Sequence, residues 1–156
     1  MENQGSIANQ AYAKMAQLCS RSEQCSTDIR KKIIAFELVE EIVEEIIEKL
    51  KAEKFINDER YVKAYVSDKF KFNKWGKVKM RHYLRMKGLP EDIIHNGLDE
   101  IDEEKYKAVL IKTMKDKAKT VKKKTKFEKM EQVIRFAQTR GFEPEMIHRY
   151  INSVLE

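Results

Sequence analysis

Two cysteines, two prolines and five glycines in 156 residues leave little material for a disulfide framework or a turn-rich β fold. Cys19 and Cys25 stand six apart beside only three histidines, too few soft ligands for a zinc site, and are expected as reduced, partly packed thiols. No run of 18 apolar residues exists, and the first fifteen residues lack the basic-plus-apolar order of a signal peptide. Neither a membrane span nor secretion has support, and the expected location is cytoplasmic. There is also no G-x-x-x-x-G-K-[ST] phosphate loop and no G-x-G-x-x-G turn. The acids lie in surface runs instead of isolated pairs in apolar surroundings. Ser20, Ser22, Cys19 and Cys25 have no histidine near them in sequence, since His82, His95 and His148 come later. Catalysis has nothing to build on, and no metal or cofactor is expected.

What the chain has is helix-forming sequence and charge. It is 42% hydrophobic and 37% charged, with 32 Lys and Arg against 26 Asp and Glu for a formal charge of +6. The signs are segregated. Glu37 to Glu59 holds nine acids and three bases, Lys69 to Lys87 eight bases and no acid, and Pro90 to Glu104 seven acids and no base. Lys105 to Lys129 then carries eleven Lys against Asp116 and Glu128. Such alternation turns one face of a folded array toward a polyanion while another stays acidic and solvated.

Apolar residues recur at spacings of three and four: Ile29, Ile33, Ile34 and Leu38, then Ile42, Val43, Ile46, Ile47 and Leu50. This is the pattern of two amphipathic helices joined near Glu37. The layout returns 51 residues later, with Met80, Leu84, Leu89, Ile93, Ile94, Leu98 and Ile101, and again after a further 53, with Val133, Ala137, Phe142, Met146, Ile147, Ile151 and Val154. Gly88 and Gly141 fall where one helix ends and the next begins, as a positive φ requires, and Pro90 or Pro144 opens the helix that follows. A further helical stretch precedes each copy, at Ala11 to Ser20, Glu59 to Phe72 and Glu104 to about Lys119. Asn57 or Asp58 is placed to cap the second of these.

The expected fold is therefore all-α: a tandem array of three three-helix repeats, elongated and curved, whose units share an apolar seam. The expected boundaries are a frayed N-terminus over 1–10, then repeats over 11–56, 57–103 and 104–156, the last with a Lys-rich segment at 115–126. Lys119 to Phe127 is expected to be the least ordered connection, because like charges at i,i+4 repel and its threonines favour turns.

Four stretches carry a family resemblance: CSRSEQCSTDIRKKIIAF at 19–36, NDERYVKAYVSDKF at 57–70, WGKVKMRHYLRMKGLPEDII at 75–94 and FAQTRGFEPEMI at 136–147. Together they resemble the RecX regulatory proteins over roughly residues 12–155. NDERYVKAYV, followed by Gly76 and the basic helix ending in Lys87 and Gly88, is the most specific element. The resemblance implies a bacterial cytoplasmic protein that binds RecA, chiefly its filament on single-stranded DNA, and curbs its ATPase, strand-exchange and co-protease activities. Glu37 stands where the family pattern has Gly, Lys77 where Pro often follows the Gly, and Cys25 where His is frequent. A non-Gly residue at position 37 pays for positive φ.

Lys74, Lys77, Arg81 and Arg85 are spaced to form one basic stripe, with Lys71 just outside it and Trp75 able either to pack or to stack on a base. Phosphate neutralisation is the expected role. Phe70, Tyr83, Leu84 and Met86 read as core residues. Lys115, Lys119, Lys122, Lys123, Lys124 and Lys126 form a second array of flexible point charges suited to tracking a backbone without reading bases. Arg21, Arg30, Lys31 and Lys32 form a smaller cluster. In the signature segment Arg60 and Lys63 are candidate contacts, whereas Tyr61 and Tyr65 share a face and pack inward. A monomer that binds the RecA filament and single-stranded DNA, with duplex DNA as a further candidate ligand, without sequence preference is the leading expectation. The alternative is a nonspecific DNA-binding or architectural helical module without a recombinase partner.

Overall fold

The computed structural model describes residues 3–122 and 125–156. Among them are nine α-helices and no strand: α1 (Gln4–Arg21), α2 (Ser26–Ile33), α3 (Glu40–Ala52), α4 (Asp58–Asn73), α5 (Lys77–Met86), α6 (Glu91–Asp99), α7 (Glu103–Thr120), α8 (Lys126–Thr139) and α9 (Pro144–Leu155). They fall into three consecutive triplets, and substantial helix packing stays within each triplet. The positions that recur in sequence are the ones that fill the interior. Ile29, Met80 and Val133 are buried in their respective units, as are Ile33, Leu84 and Ala137, and Val43, Ile94 and Ile147. Each large aliphatic so enclosed contributes about 1.5–3 kcal/mol of transfer free energy.

Helix ends follow local chemistry. The side chains of Asn3, Asn57, Asp102 and Thr125 accept hydrogen bonds from the backbone N–H groups of Ser6, Arg60, Lys105 and Glu128, satisfying donors that the first helical turn leaves open. The connection between the second and third helix of every unit turns through left-handed backbone, at Glu37 (φ 54), Gly88 (φ 75) and Gly141 (φ 95). Glu37 thus adopts the strained conformation foreseen for it. In unit one a short 3-10 turn over Ile34–Phe36 leads into that residue.

One expectation changes. Residues 4–10, placed in a frayed end, form the first turns of α1, because Asn3 caps the helix and Ala8 packs on the first core. Of the Lys119 to Phe127 connection, α7 runs through Thr120 and α8 starts at Lys126, Val121, Lys122 and Thr125 are not helical, and residues 123 and 124 lie outside the described residues.

Three core clusters lie along the chain, one per unit, and the side chains of Phe70 and Ile101 touch both the second and the third. A protein of 18.5 kDa that packed into one compact body would expose roughly 8,200 Å². This chain exposes 10004 Å², as a row of small units does.

The joints between units repeat one device: the N-terminus of a second helix docks against the following unit. At the first joint Cys25 is buried in the second unit's core, and Ser26 donates its N–H (3.0 Å) and hydroxyl (2.9 Å) to the Asp58 carboxylate. Lys87 bonds Asp28 at 2.8 Å alongside. At the second joint three successive amides of the α5 N-terminus reach the third unit. Gly76 donates to the Arg140 carbonyl (2.8 Å), Lys77 to the Tyr106 hydroxyl (2.8 Å) and Val78 to the Gly141 carbonyl (2.9 Å). Tyr106 passes its own proton bond to the Glu143 carboxylate. Burial, reinforced by that carboxylate, pushes the Tyr106 phenol well above its ordinary range, so it stays a neutral donor.

Candidate nucleic-acid interface

The middle unit carries a file of aromatic rings alternating with ammonium groups. Tyr61, Tyr65 and Lys69 are four apart on α4 and therefore share a face. After Asn73 the chain turns left-handed at Lys74 (φ 58), and the Trp75 N–H closes back on the Lys69 carbonyl at 3.1 Å, which sets the indole beside the end of α4. Lys79 and Tyr83, one turn apart on α5, meet it from the other side.

The contacts are continuous. Lys87 Nζ lies 5.8 Å from the Tyr61 ring centre, Tyr61 and Tyr65 pack at 6.1 Å, and Lys69 Nζ sits 5.5 Å from Tyr65 and 4.9 Å from Trp75. Lys79 Nζ approaches the same indole to 4.5 Å, and Tyr83 stacks on it with centroids 5.3 Å apart and planes inclined by 27°. Among the described residues neither Lys69 nor Lys79 has a carboxylate within ion-pair distance. Burial pushes the Tyr65 phenol up to about 12 and moves Tyr61 the same way, so both rings are neutral at physiological pH and add no charge that would repel a polyanion.

The stripe read from sequence divides in three dimensions. Lys74 caps α4 and bonds the Lys71 carbonyl at 2.7 Å instead of lying on α5, and Lys77 is half-buried at the joint with its ammonium 4.9 Å from the Tyr106 ring. Arg81 (3.5 Å) and Arg85 (2.7 Å) turn to Glu91 at the start of α6. The pairing arises because α6 begins with an acid directly beneath the end of α5, where the helix dipole also favours it. Tyr83 and Met86, expected in the core, are 40% and 68% exposed, since α5 buries only Met80 and Leu84. Trp75 is half-buried and packs on the second core, one of the two roles expected of it, while its ring takes part in the file.

Other candidates scatter. Arg60 is held by Glu23 (2.5 Å) and the Lys54 and Phe55 carbonyls, Lys63 by Glu100 (3.3 Å), and Arg30 by Glu44 and Glu40. Arg21 and Lys31 are exposed on the first unit, remote in sequence from the file. Lys115, Lys119, Lys122 and Lys126 are exposed on the third unit; Lys123 and Lys124 lie outside the described residues. Lys71 and Lys74 also line an open groove of about 740 Å³ at the second joint, with Lys63 and Lys105 and an apolar lining that includes Val66 and Phe70. Lys69, Lys79 and Lys87 escaped the sequence reading. Their signals were the acid-free run from Lys69 to Lys87 and, for Lys69, its four-residue spacing from Tyr61 and Tyr65.

Comparison with known proteins supplies relatives. Residues 57–98, which are the middle unit, match the model of the RecX second three-helix domain. A regulatory protein RecX of Clostridioides difficile (strain 630) is 25% identical over 145 residues, covering 93% of this chain and 68% of that protein. One from Clostridium perfringens (strain SM101 / Type A) is 30% identical over 95 residues, 60% of this chain and 44% of its own length. The chain is similar to RecX regulatory proteins, through its middle unit and at lower identity along most of its length. The fold agrees: a crystal structure of regulatory protein RecX superposes with a TM-score of 0.86 at 24% identity, covering 96% of this chain and 73% of the other. RecX from Lactobacillus salivarius superposes at 0.88 and 19% identity, covering 96% and 97%. The chain spans less than half the length of the first curated relatives it matches. The unit that carries the family's second-domain pattern is also the unit that carries the ring and ammonium file.

Proposed function

We propose that the chain is a non-catalytic regulator that binds the filament formed by RecA on single-stranded DNA and inhibits its ATPase, strand-exchange and co-protease activities. The observation that carries the reading is the middle unit: it matches the RecX second domain, its sequence has eight bases and no acid from Lys69 to Lys87, and of these Lys69 and Lys79 lie against the Trp75 ring without an ion pair among the described residues. An elongated and curved array would lie along a filament groove, spanning neighbouring protomers and hindering the movements coupled to ATP turnover. Basic faces speed encounter, and the acidic faces of α3 and of Glu91 to Glu104 meet basic protein surface. In this reading the protein is a cytoplasmic monomer without cofactor. Lys71, Lys74, Trp75, Lys77, Lys115, Lys119, Lys122 and Lys126 are the nearest of the sequence candidates to a contact surface. The test is DNA-dependent ATP hydrolysis by the recombinase: sub-stoichiometric protein slows it, and undiminished hydrolysis at saturating protein would sink the proposal.

A second reading, a nonspecific DNA-binding module, draws on the third unit, where Lys115, Lys119, Lys122 and Lys126 are exposed and Lys112 of α7 pairs with Asp116 at 3.0 Å. A titration on free single strands, free duplex and filament separates the two. Preference for the filament supports the first, and equal affinity for free DNA supports the second. A salt series counts the phosphates neutralised.

A further inference from the structure

We infer that Tyr83 and Trp75 form a stacking platform for one base of a single-stranded nucleic acid, with Lys69 and Lys79 placed to meet the flanking phosphates. The inference rests on the nucleic-acid side of the proposed function and assigns it to particular atoms.

A tyrosine ring on a short helix has two usual fates, burial in the core or projection into solvent. Tyr83 takes neither: it is 40% exposed, yet it lies 5.3 Å from the Trp75 indole and within 27° of parallel to it. The indole backs the phenol, and His82 meets the phenol ring edge-on at 5.4 Å. The aromatic surface is thus held in one orientation and offered to solvent, so a flat ring arriving from outside would extend a stack that already exists, at little cost in side-chain ordering. Met86, three residues on along the same helix and 68% exposed, leaves further apolar surface uncovered beside it.

The charges fit the same ligand. Lys69 and Lys79 reach the indole from different helices, at 4.9 Å and 4.5 Å, and cation–π attraction localises their ammonium groups without consuming their donors. Lys79 makes one long bond, 3.4 Å, to the Thr139 carbonyl, and among the described residues neither lysine is neutralised by an acid. An acidic peptide would need the cations alone and gain nothing from the stacked rings. A strand of nucleotides needs both, a π-face for the base and point charges for the backbone on either side. Nothing in the cluster has the fixed fork that reads a base edge, so the platform accepts any base.

Trp75 is the only tryptophan, which makes its emission a direct report on the platform. The full chain is titrated with oligothymidylate, with an abasic phosphodiester of equal length and with polyglutamate, while inhibition of ATP hydrolysis by the recombinase filament is measured in parallel. Oligothymidylate is expected to quench the emission saturably, the abasic strand to bind about tenfold more weakly without quenching, and polyglutamate to do neither. Tyr83→Ala should lower affinity for oligothymidylate about tenfold and leave the abasic strand unaffected, and Tyr83→Phe should restore it. Lys69→Ala and Lys79→Ala should each reduce the salt slope by about 0.7. Equal affinity for the thymidylate and abasic strands, unmoved emission at saturation, or unchanged binding by a Tyr83→Ala variant of wild-type circular dichroism overturns the platform. If hydrolysis is still inhibited when that happens, the platform alone falls; if thymidylate quenches while hydrolysis runs undiminished, the filament reading falls and the platform stands.

Discussion

Replacing Gly76 by alanine tests whether the second joint makes one body of the middle and third units. Gly76 has an ordinary φ of −81, so the substitution introduces no backbone strain of its own. Its new methyl group would instead press into the backbone of Gly141 and Phe142, well inside van der Waals contact, and neither neighbour is a flexible side chain that can move aside. The α5 N-terminus must withdraw, and with it go the bonds from the Gly76, Lys77 and Val78 amides to Arg140, Tyr106 and Gly141. A net value of about 1 kcal/mol for each gives a loss of about 2–3 kcal/mol once water replaces part of it. For a chain of this length that lowers Tm by about 4–12 °C. Gly88→Ala is the control: unlike Gly76, Gly88 stands at positive φ, but its methyl group would meet nothing nearer than the Thr27 hydroxyl at 3.7 Å, so it costs only the left-handed strain, about 1 kcal/mol. Thermal melts followed by circular dichroism and by Trp75 emission distinguish the two, because Trp75 adjoins the joint and should report its opening before the helices melt. A Gly76→Ala protein that melts with the wild type, or no earlier than Gly88→Ala, would refute this account of the joint.

Two further expectations concern the first unit and the first joint. Glu37→Gly should raise stability by about 0.5–1 kcal/mol, because a left-handed non-glycine costs about 1–2 kcal/mol and glycine returns part of that as chain entropy, and a melt showing no gain would contradict it. Burial pushes the Asp28 carboxyl up, but bonds from Lys87 and the Cys25 thiol and the charges of Lys87 and Lys31 outweigh it and hold the group below the usual range. Burial likewise pulls Lys87 down, and its bonds and charge interactions with Asp28 and Tyr61 outweigh that and raise it. The carboxylate's contribution is complete above its unfolded value near 3.9 and is lost as pH falls through the lower folded value. The ammonium's is complete below its unfolded value near 10.4 and is lost as pH rises through the higher folded one. Stability from this pair should therefore be flat between about pH 4 and 10. Asp28→Asn should cost about 1–2 kcal/mol there and shrink the acid limb in denaturant titrations across pH, and an unaltered acid limb would exclude the pair as its source.

The triplicated core was legible because helical burial leaves a period in the sequence. Ile29, Met80 and Val133 are buried in equivalent places, and so are Leu98 and Ile151, because each lies on the one face its unit can enclose. The left-handed turns were legible at Gly88 and Gly141 for a similarly local reason. The site was legible only in its charge. Lys77, Arg81 and Arg85 do share a flank of α5, but whether that flank faces water, an acid or another unit depends on Glu91 and Tyr106, which are brought there by later helices.

Helix type, unit length, repeat number and the segregation of charge follow from the order of residues along this chain, since each is set by neighbours within a turn or two. The meeting of Lys69, Trp75, Lys79 and Tyr83 does not. It depends on the left-handed turn at Lys74 and on α5 docking by its N-terminus against the third unit, and those are the packing events that convert a basic stretch into a surface where rings and ammonium groups alternate.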